Sequence, residues 1–428
     1  MDDASDIDAR IEARRDEMAA LCSDLIRVPT PNPPGENYRD ACELVARRLA
    51  ARGFDTEMIR AEGAPGDSDR HPRWNMIARR EGASPGETVH FNSHIDVVEA
   101  GAGWTADPWG GEIRDGHVWG RGACDMKGGL AASVVAVEAF LDARPGFAGA
   151  VEISCTADEE SGGLGGVAYL AEQGRFAHVG HVIIPEPLDP DRVCLGHRGV
   201  WWAEIETEGA IAHGSMPFLG DCAVRHMGAV LAEMERALWP RLAERRTAMP
   251  VVPEGARAST LNVNSVHGGQ PEPEPGGTGL PSPCVPDRAR LVIDRRFLAE
   301  ERVEDVEAEM RALLERVALA RPGLRWSLRE ILRVLPSATD PDAPVARAVS
   351  EAVEAVLGRP ARHVHSPGTY DQKHIDRIGR LRSCVAYGPG RLELAHRPDE
   401  RIAIDDMAAA AKVMARSLER LLAGGREA

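Results

Sequence analysis

The feature that most constrains the fold is a change of pattern near residue 198. Up to that point short apolar runs alternate with helix-patterned segments. "NMIARRE", "ETVHFNSHIDVV", "AVEISCTA" and "HVGHVIIPEP" read as strands, while "MKGGLAASVVAVEAFLDA" and "GGVAYLAEQG" read as helices. Such alternation predicts a mostly parallel sheet covered by helices. After residue 198 the order becomes strand ("VWWAEIETEG"), helix ("DCAVRHMGAVLAEMERAL"), two strands ("STLNVNSVHGG", "RARLVIDRRFL"), helix ("ERVEDVEAEMRALLERVALA") and strand ("RWSLREILRV"). This βαββαβ order is that of a split βαβ sandwich, a compact α+β, ferredoxin-like unit set inside the larger one. The expected organisation is therefore an α/β domain in two parts, 1–197 and 334–428, around an inserted unit at 198–333. The stretch 269–286, rich in Pro and Gly, reads as a long mobile loop between the middle strands of that unit. Two helices around the break "PTPNPPGEN" are expected in the first 53 residues.

A chain of 428 residues, 43% of them hydrophobic, can bury cores for two or more domains. Its net charge of −16, without a basic stripe, disfavours nucleic acid and anionic membrane as partners. The acidic start "MDDASDIDAR" and the lack of an 18-residue apolar run argue against a signal peptide and a membrane span. Eight scattered cysteines without a C-x-x-C pair suit free thiols, and a cytoplasmic location is expected.

Acidic residues and histidines recur at the ends of the apolar strands, where open α/β sheets place their ligands. His94 and Asp96 lie in "HFNSHIDVV", Asp125 in "GRGACDMKGG", Glu159 and Glu160 in "ADEESGG", Glu186 in "IPEP" and His396 in "AHRPDE". Carboxylates mixed with imidazoles suit zinc, manganese or cobalt and leave a position for water. Taken singly each has a plainer reading. A lone histidine is usually structural, Asp125 could cap the following helix, and Glu186 between prolines could be an exposed turn. It is their joint placement at strand ends that points to a metal site.

The segments "HIDVV", "RGACDMKGG", "ADEESGG", "GHRGV", "AHGSMP", "GTYDQ" and "AHRPDE" resemble, in order, the M20 metallohydrolases, a family that includes acetylornithine deacetylase, succinyl-diaminopimelate desuccinylase, carboxypeptidase G2 and aminoacylase-1. The resemblance implies one or two divalent ions (Zn, Mn or Co). His94, Asp125 and Glu186 would hold one. Asp125, Glu160 and His396 would hold the other, with Asp125 bridging. It implies that Asp96 accepts a hydrogen bond from the far nitrogen of His94. Glu159 would be the general base that takes a proton from water and gives it to the leaving nitrogen. His213, in "AHGSMP", would stabilise the oxyanion across a homodimer or higher homo-oligomer formed by the inserted dimerisation or lid domain. Arg198, Arg296 and Thr369 match positions that often hold a substrate carboxylate. Cys124 reads as a packing residue.

Three departures from the family bear on the substrate. The asparagine that usually lines the pocket after "VHGG" is absent or displaced, "PCVPD" standing there after the Pro-rich stretch, with Asn262 and Asn264 still near. Tyr370 replaces the usual small residue before Asp371, where a phenol could stack on a flat ring, donate a hydrogen bond, or merely fill space. Gln372 and Lys373 stand where small or acidic neighbours are common. An ordinary member hydrolyses the amide of an N-acyl amino acid or short peptide. One relative, 5-nitroanthranilate aminohydrolase, instead releases ammonia from an aromatic amine, and Tyr370 keeps that small-molecule chemistry in view. A scaffold without activity is disfavoured because the ligands, base and oxyanion histidine are all present. A phosphate-handling enzyme is disfavoured because "SGGLGG" lacks the G-x-G-x-x-G spacing.

Overall fold

The computed structural model describes residues 3–269 and 282–422. Residues 270–281, the bulk of the Pro/Gly-rich stretch, lie outside the described residues. Contacts divide the chain into a first unit of Met1–Gly196, Ala338–Val364 and Tyr370–Ala428, and a second of His197–Ser337 with His365–Thr369.

The first unit is built on a mixed sheet. Its strands run in the order Asp55–Arg60, Trp74–Glu81, Ala148–Thr156, Ser84–His94, His181–Ile184, Cys384–Ala386 and Arg192–His197. The four strands from Ala148–Thr156 to Cys384–Ala386 are mutually parallel. On one side Trp74–Glu81 pairs antiparallel with Ala148–Thr156, and Asp55–Arg60 antiparallel with Trp74–Glu81. On the other Arg192–His197 pairs antiparallel with Cys384–Ala386, and Ser337–Ala338 and Arg362–Ser366 complete the nine described strands. Parallel pairing thus holds for the centre, where both faces are covered. At the edges shorter or more exposed strands fold back instead. Strand Ser84–His94 is buried from Thr88 onward, its polar residues His90, Asn92 and Ser93 included, as a central strand covered on both faces requires.

Helix Gly128–Ala143 is apolar all round and almost wholly buried, and it packs against helix Ile404–Leu422. Its second residue must be glycine. A Cβ on Gly129 would lie 1.9 Å from the carbonyl oxygen of Pro185, so the helix touches the loop that carries Glu186. Elements the sequence pattern did not reveal include strand Asp55–Arg60 and a small sheet of Glu112–Arg114, His117–Trp119 and Arg401–Ala403. Three-residue strands are too short to display a period, and Asp55–Arg60 carries a charge at every second or third place.

The second unit has the expected βαββαβ order. Its antiparallel sheet runs Thr260–Gly268, Arg288–Phe297, Gly199–Glu208, Arg325–Val334. Trp201, Ala203 and Ile205 point into a core completed by helices Ala223–Glu233 and Val303–Ala320. The alternate residues on the opposite face pair across strands: Glu204 with Arg329 at 3.1 Å, Glu206 with Arg290 at 2.7 Å and Glu208 with Arg325 at 3.3 Å.

Candidate metal centre

The parallel strands deliver their ligands from their carboxyl ends, as open α/β sheets do. His94 closes strand Ser84–His94. Glu159 and Glu160 sit in the turn Glu159–Ser161 after strand Ala148–Thr156, and Glu186 follows strand His181–Ile184. Asp125 lies in the turn Ala123–Lys127 that opens helix Gly128–Ala143, and His396 in the loop after Cys384–Ala386. Two clusters result, His94 with Asp125 and Glu186, and Asp125 with Glu160 and His396, each with ligand atoms within 4.8 Å of one another.

The spacings fit cations. His94 Nε2 lies 3.1 Å from Asp125 Oδ1 and 3.8 Å from Glu186 Oε1. His396 Nε2 lies 3.0 Å from Glu160 Oε1 and 3.4 Å from Asp125 Oδ2. Ligands about 2.1 Å from a tetrahedral ion stand roughly 3.4 Å apart. The hydrogen bonding gives the same answer. His94 Nδ1 is 2.9 Å from the carbonyl oxygen of Asp96, so it is the protonated nitrogen and Nε2 carries the lone pair. A lone pair facing two carboxylates needs a proton or a metal ion between them.

Electrostatics supports that reading. Burial and the nearby charge of Asp125 push the Glu186 carboxyl well up, and Glu159 adds to the effect. Burial likewise raises Glu160 to about 7, against the pull of His396. Hydrogen bonds to Asp125 and Glu160 raise the half-exposed His396 to about 10. Burial opposes the charge on His94, yet the bond to Asp125 and the nearby carboxylates of Asp96 and Glu186 still raise it. The site concentrates negative charge that cations would neutralise.

Supporting residues explain the local geometry. Glu400 Oε1 accepts the amide hydrogens of Gly122, Cys124 and Asp125 at 3.1, 2.9 and 3.0 Å, and pairs with buried Arg121. It therefore fixes the turn that carries Asp125. Asp96 differs from expectation. Its carboxylate is 3.6 Å from His94 Nδ1, farther than its own carbonyl, and its oxygens instead accept the amides of Glu159 and Glu160 at 3.1 and 3.0 Å. An aspartate beside a histidine ligand was legible in the sequence; that it holds the neighbouring turn was not. Asp158 braces the same turn, accepting from Tyr38 Oη, Asn32 Nδ2 and Arg73 Nε at 2.9, 3.2 and 2.9 Å. Lys373 Nζ donates to Glu159 Oε1 at 3.1 Å.

The remaining expected site residues each have their own surroundings. Tyr370 is 5% exposed, and its hydroxyl donates to Cys194 Sγ at 3.3 Å. In the second unit His213 is exposed, and its Nδ1 accepts from the amide and hydroxyl of Ser215 at 3.2 and 2.7 Å. Its backbone pairs with Cys284, so "PCVPD" buttresses the His213 loop. Asn262 and Asn264 bond to each other on an exposed strand. Arg198 is 5% exposed and donates from Nη1 to the carbonyl of Ala258, while its Nε and Nη2 have no hydrogen-bond partner among the described residues. Burial and the repulsion of Arg296 and Arg295 lower its pKa. Arg296 is gripped on both fork nitrogens by Asp294 at 2.7 and 2.9 Å, and Thr369 is partly buried.

The profile of peptidase family M20/M25/M40 matches residues 90–420. The chain belongs to this family. It is 30% identical over 414 residues to succinyl-diaminopimelate desuccinylase of Burkholderia ambifaria (strain MC40-6), covering 94% of this chain and 99% of that protein. In fold it is similar to the dipeptidase Dug1p of Saccharomyces cerevisiae, with a TM-score of 0.77, 18% identity and full coverage of both chains. It is also similar to a Bacillus subtilis protein described as a dinuclear metal-binding M20 peptidase, with a TM-score of 0.67, 16% identity, and 96% and 99% coverage. The chain is therefore an M20 hydrolase acting on C–N amide bonds. Among the described residues no helix is long and apolar enough to cross a membrane.

Proposed function

We propose that this M20 hydrolase is a deacylase that cleaves the amide of an N-acyl, most simply N-succinyl, amino acid. The observation that carries the reading is the pair of three-ligand clusters sharing Asp125, with Glu159 adjacent in the chain to Glu160 and within electrostatic reach of Glu186. Divalent ions held by His94, Asp125, Glu186, Glu160 and His396 would supply Lewis acidity that polarises the scissile carbonyl and makes water a stronger acid. Glu159 takes the proton from the attacking water and returns it to the leaving nitrogen. In His213, acceptance at Nδ1 puts the proton on Nε2 and leaves an exposed donor, suited to the developing oxyanion of a substrate bound to a second copy in a cytoplasmic homodimer. The donors of Arg198 that lack a hydrogen-bond partner among the described residues suit a substrate carboxylate, which would complete the hydrogen bonding of a buried guanidinium.

The acyl specificity is drawn from the desuccinylase relative, which spans nearly the whole chain. The aromatic-amine alternative leaned on Tyr370, whose hydroxyl is engaged with Cys194. The test is a substrate panel with protein reconstituted with zinc or manganese: N-succinyl-diaminopimelate, N-acetylornithine, a dipeptide and 5-nitroanthranilate. Free succinate and amine from the first are expected, with Arg198→Lys raising KM more than it lowers kcat. Ammonia from 5-nitroanthranilate, with every acyl substrate untouched, would overturn the deacylase in favour of an aminohydrolase.

A further inference from the structure

We infer that Lys373 is a positioning residue for Glu159, and that the short helix Gln372–Arg377 is the brace through which it acts. The inference rests on the reading of Glu159 as the general base. Lys373 has 4% of its side chain exposed and Glu159 11%, and they meet at 3.1 Å. Burying an ammonium is costly unless an anion meets it, and among the described residues Lys373 is the one cation that pairs with this carboxylate.

Simple neutralisation would need no more than proximity, but the helix bearing Lys373 is tied at every turn to the elements that carry the metal cluster. Asp371 Oδ2 accepts from Asn92 Nδ2 at 2.9 Å and from Thr156 Oγ1 at 3.4 Å. Asn92 lies two residues before His94, and Thr156 three before Glu159. Gln372 Nε2 donates to the carbonyls of Leu195 and Cys384 at 3.2 and 3.0 Å and to Thr339 Oγ1 at 2.9 Å. His374 Nε2 donates to the carbonyl of Gly162 at 2.7 Å, on the turn that bears Glu159. The approach is so close that a Cβ on Gly163, itself at φ +75°, would lie 2.9 Å from Asp371 Oδ1.

The Glu159 turn is thus held at two levels. Asp96 fixes its backbone by the amides of Glu159 and Glu160, and the helix fixes its rim through Gly162 and its carboxylate through Lys373. A base works only within a narrow range of distance and angle to the proton it takes. Displacement by about 1 Å can cost a hundredfold in rate, and a side chain held at one oxygen by a braced cation cannot swing away.

The experiment compares Lys373→Met, Lys373→Arg and Glu159→Gln in the full-length, metal-reconstituted protein, on whichever panel substrate it turns over. For Lys373→Met kcat should fall about tenfold to a hundredfold, with KM and bound metal unchanged, whereas Lys373→Arg should recover much of the loss. Added to Glu159→Gln, Lys373→Met should lower the residual rate no further, because both act through one carboxylate. Wild-type kcat in Lys373→Met beside an inactive Glu159→Gln would overturn the brace and leave the base intact. Full activity in Glu159→Gln would overturn the base and the brace with it. Should Lys373→Met fail to fold, Lys373→Gln decides by the same split of kcat from KM.

Discussion

The two units treat charge in opposite ways. The second lays several charged pairs on the open face of its sheet, Glu204 with Arg329 and Glu208 with Arg325, where water reaches both partners, and buries Arg295 against Glu301. The first carries its charges inward: Asp125, Glu160, Glu186, Glu159, Lys373, Asp158 and Arg73 all sit in or beside the centre formed by the strand ends. Charge on the surface contributes little, but charge inside is costly unless each group is matched. The difference marks the first unit as the place where charge does chemistry. It predicts that equal-looking substitutions will have very unequal effects in the two units.

The largest effect is expected at Glu159. Glu159→Gln should lower kcat by about a hundredfold to ten thousandfold while the metal-to-protein ratio stays at the wild-type value. Glu160→Ala, one residue on, should lose metal instead. Metal analysis and turnover on the same preparations check both, and equal metal loss in the two variants would break the division of roles within the turn.

Next is the buried ion pair behind the turn. Arg73 and Asp158 meet at 2.9 Å with 6% and 4% of their side chains exposed, and Arg73 lies over the ring of Tyr38. Arg73→Met leaves Asp158, already raised by burial and by Asp96, without its counter-charge. A loss of about 3–5 kcal/mol in urea unfolding is expected. A loss below about 1 kcal/mol would mean that water reaches the pair.

A smaller effect separates the units by pH. Burial, helped by Lys373, holds His374 at about 4, below its ordinary 6.5. The folded state therefore binds fewer protons than the unfolded one between these values. Stability contributed by neutral His374 is complete above pH 6.5 and is lost as pH falls toward 4, by up to ~3 kcal/mol. Thermal melts of His374→Gln, which keeps a donor for the Gly162 carbonyl, should lose less over that range than wild type. Parallel curves would assign the acid sensitivity elsewhere.

These contrasts also show what the sequence could display. His94, Glu159, Glu160 and Glu186 stood out because they follow strand-like runs, a place that periodicity reveals; Asp125, before a helix, and His396, in a loop, were singled out by the motifs around them. The βαββαβ order, whose strands alternate cleanly, as in "VWWAEIETE", was legible too. The braces were not. Asp96 holding the Glu159 amides, Glu400 holding the Asp125 turn and Lys373 holding Glu159 join residues 63 to 275 positions apart. Only the topology brings them together, and nothing in a carboxylate or an ammonium signals its distant partner. Tyr370 is an unusual residue whose partner was equally hidden: its hydroxyl meets Cys194, 176 positions away. Sheet direction was half legible, since apolar runs mark buried central strands but not which way the edge strands run.

The smallest effect is the sharpest check on the comparison. Arg329 is 65% exposed and meets Glu204 at 3.1 Å, nearly the separation of Arg73 and Asp158. Distance alone would assign the two pairs similar weight. The surrounding medium does not: an exposed arginine exchanges the carboxylate for water at little cost and recovers side-chain freedom when the pair breaks. Arg329→Ala should therefore change unfolding stability by no more than about 0.5 kcal/mol, and raising the salt to about 0.5 M should erase even that, because screening at such strength acts within a few ångströms. The Arg73→Met loss, sheltered from ions, should survive the same salt. If Arg329→Ala proved as damaging as Arg73→Met, the open sheet face would be covered in solution, as a homodimer built on this unit could cover it. The charge ladder would then belong to an interface rather than to a solvated surface.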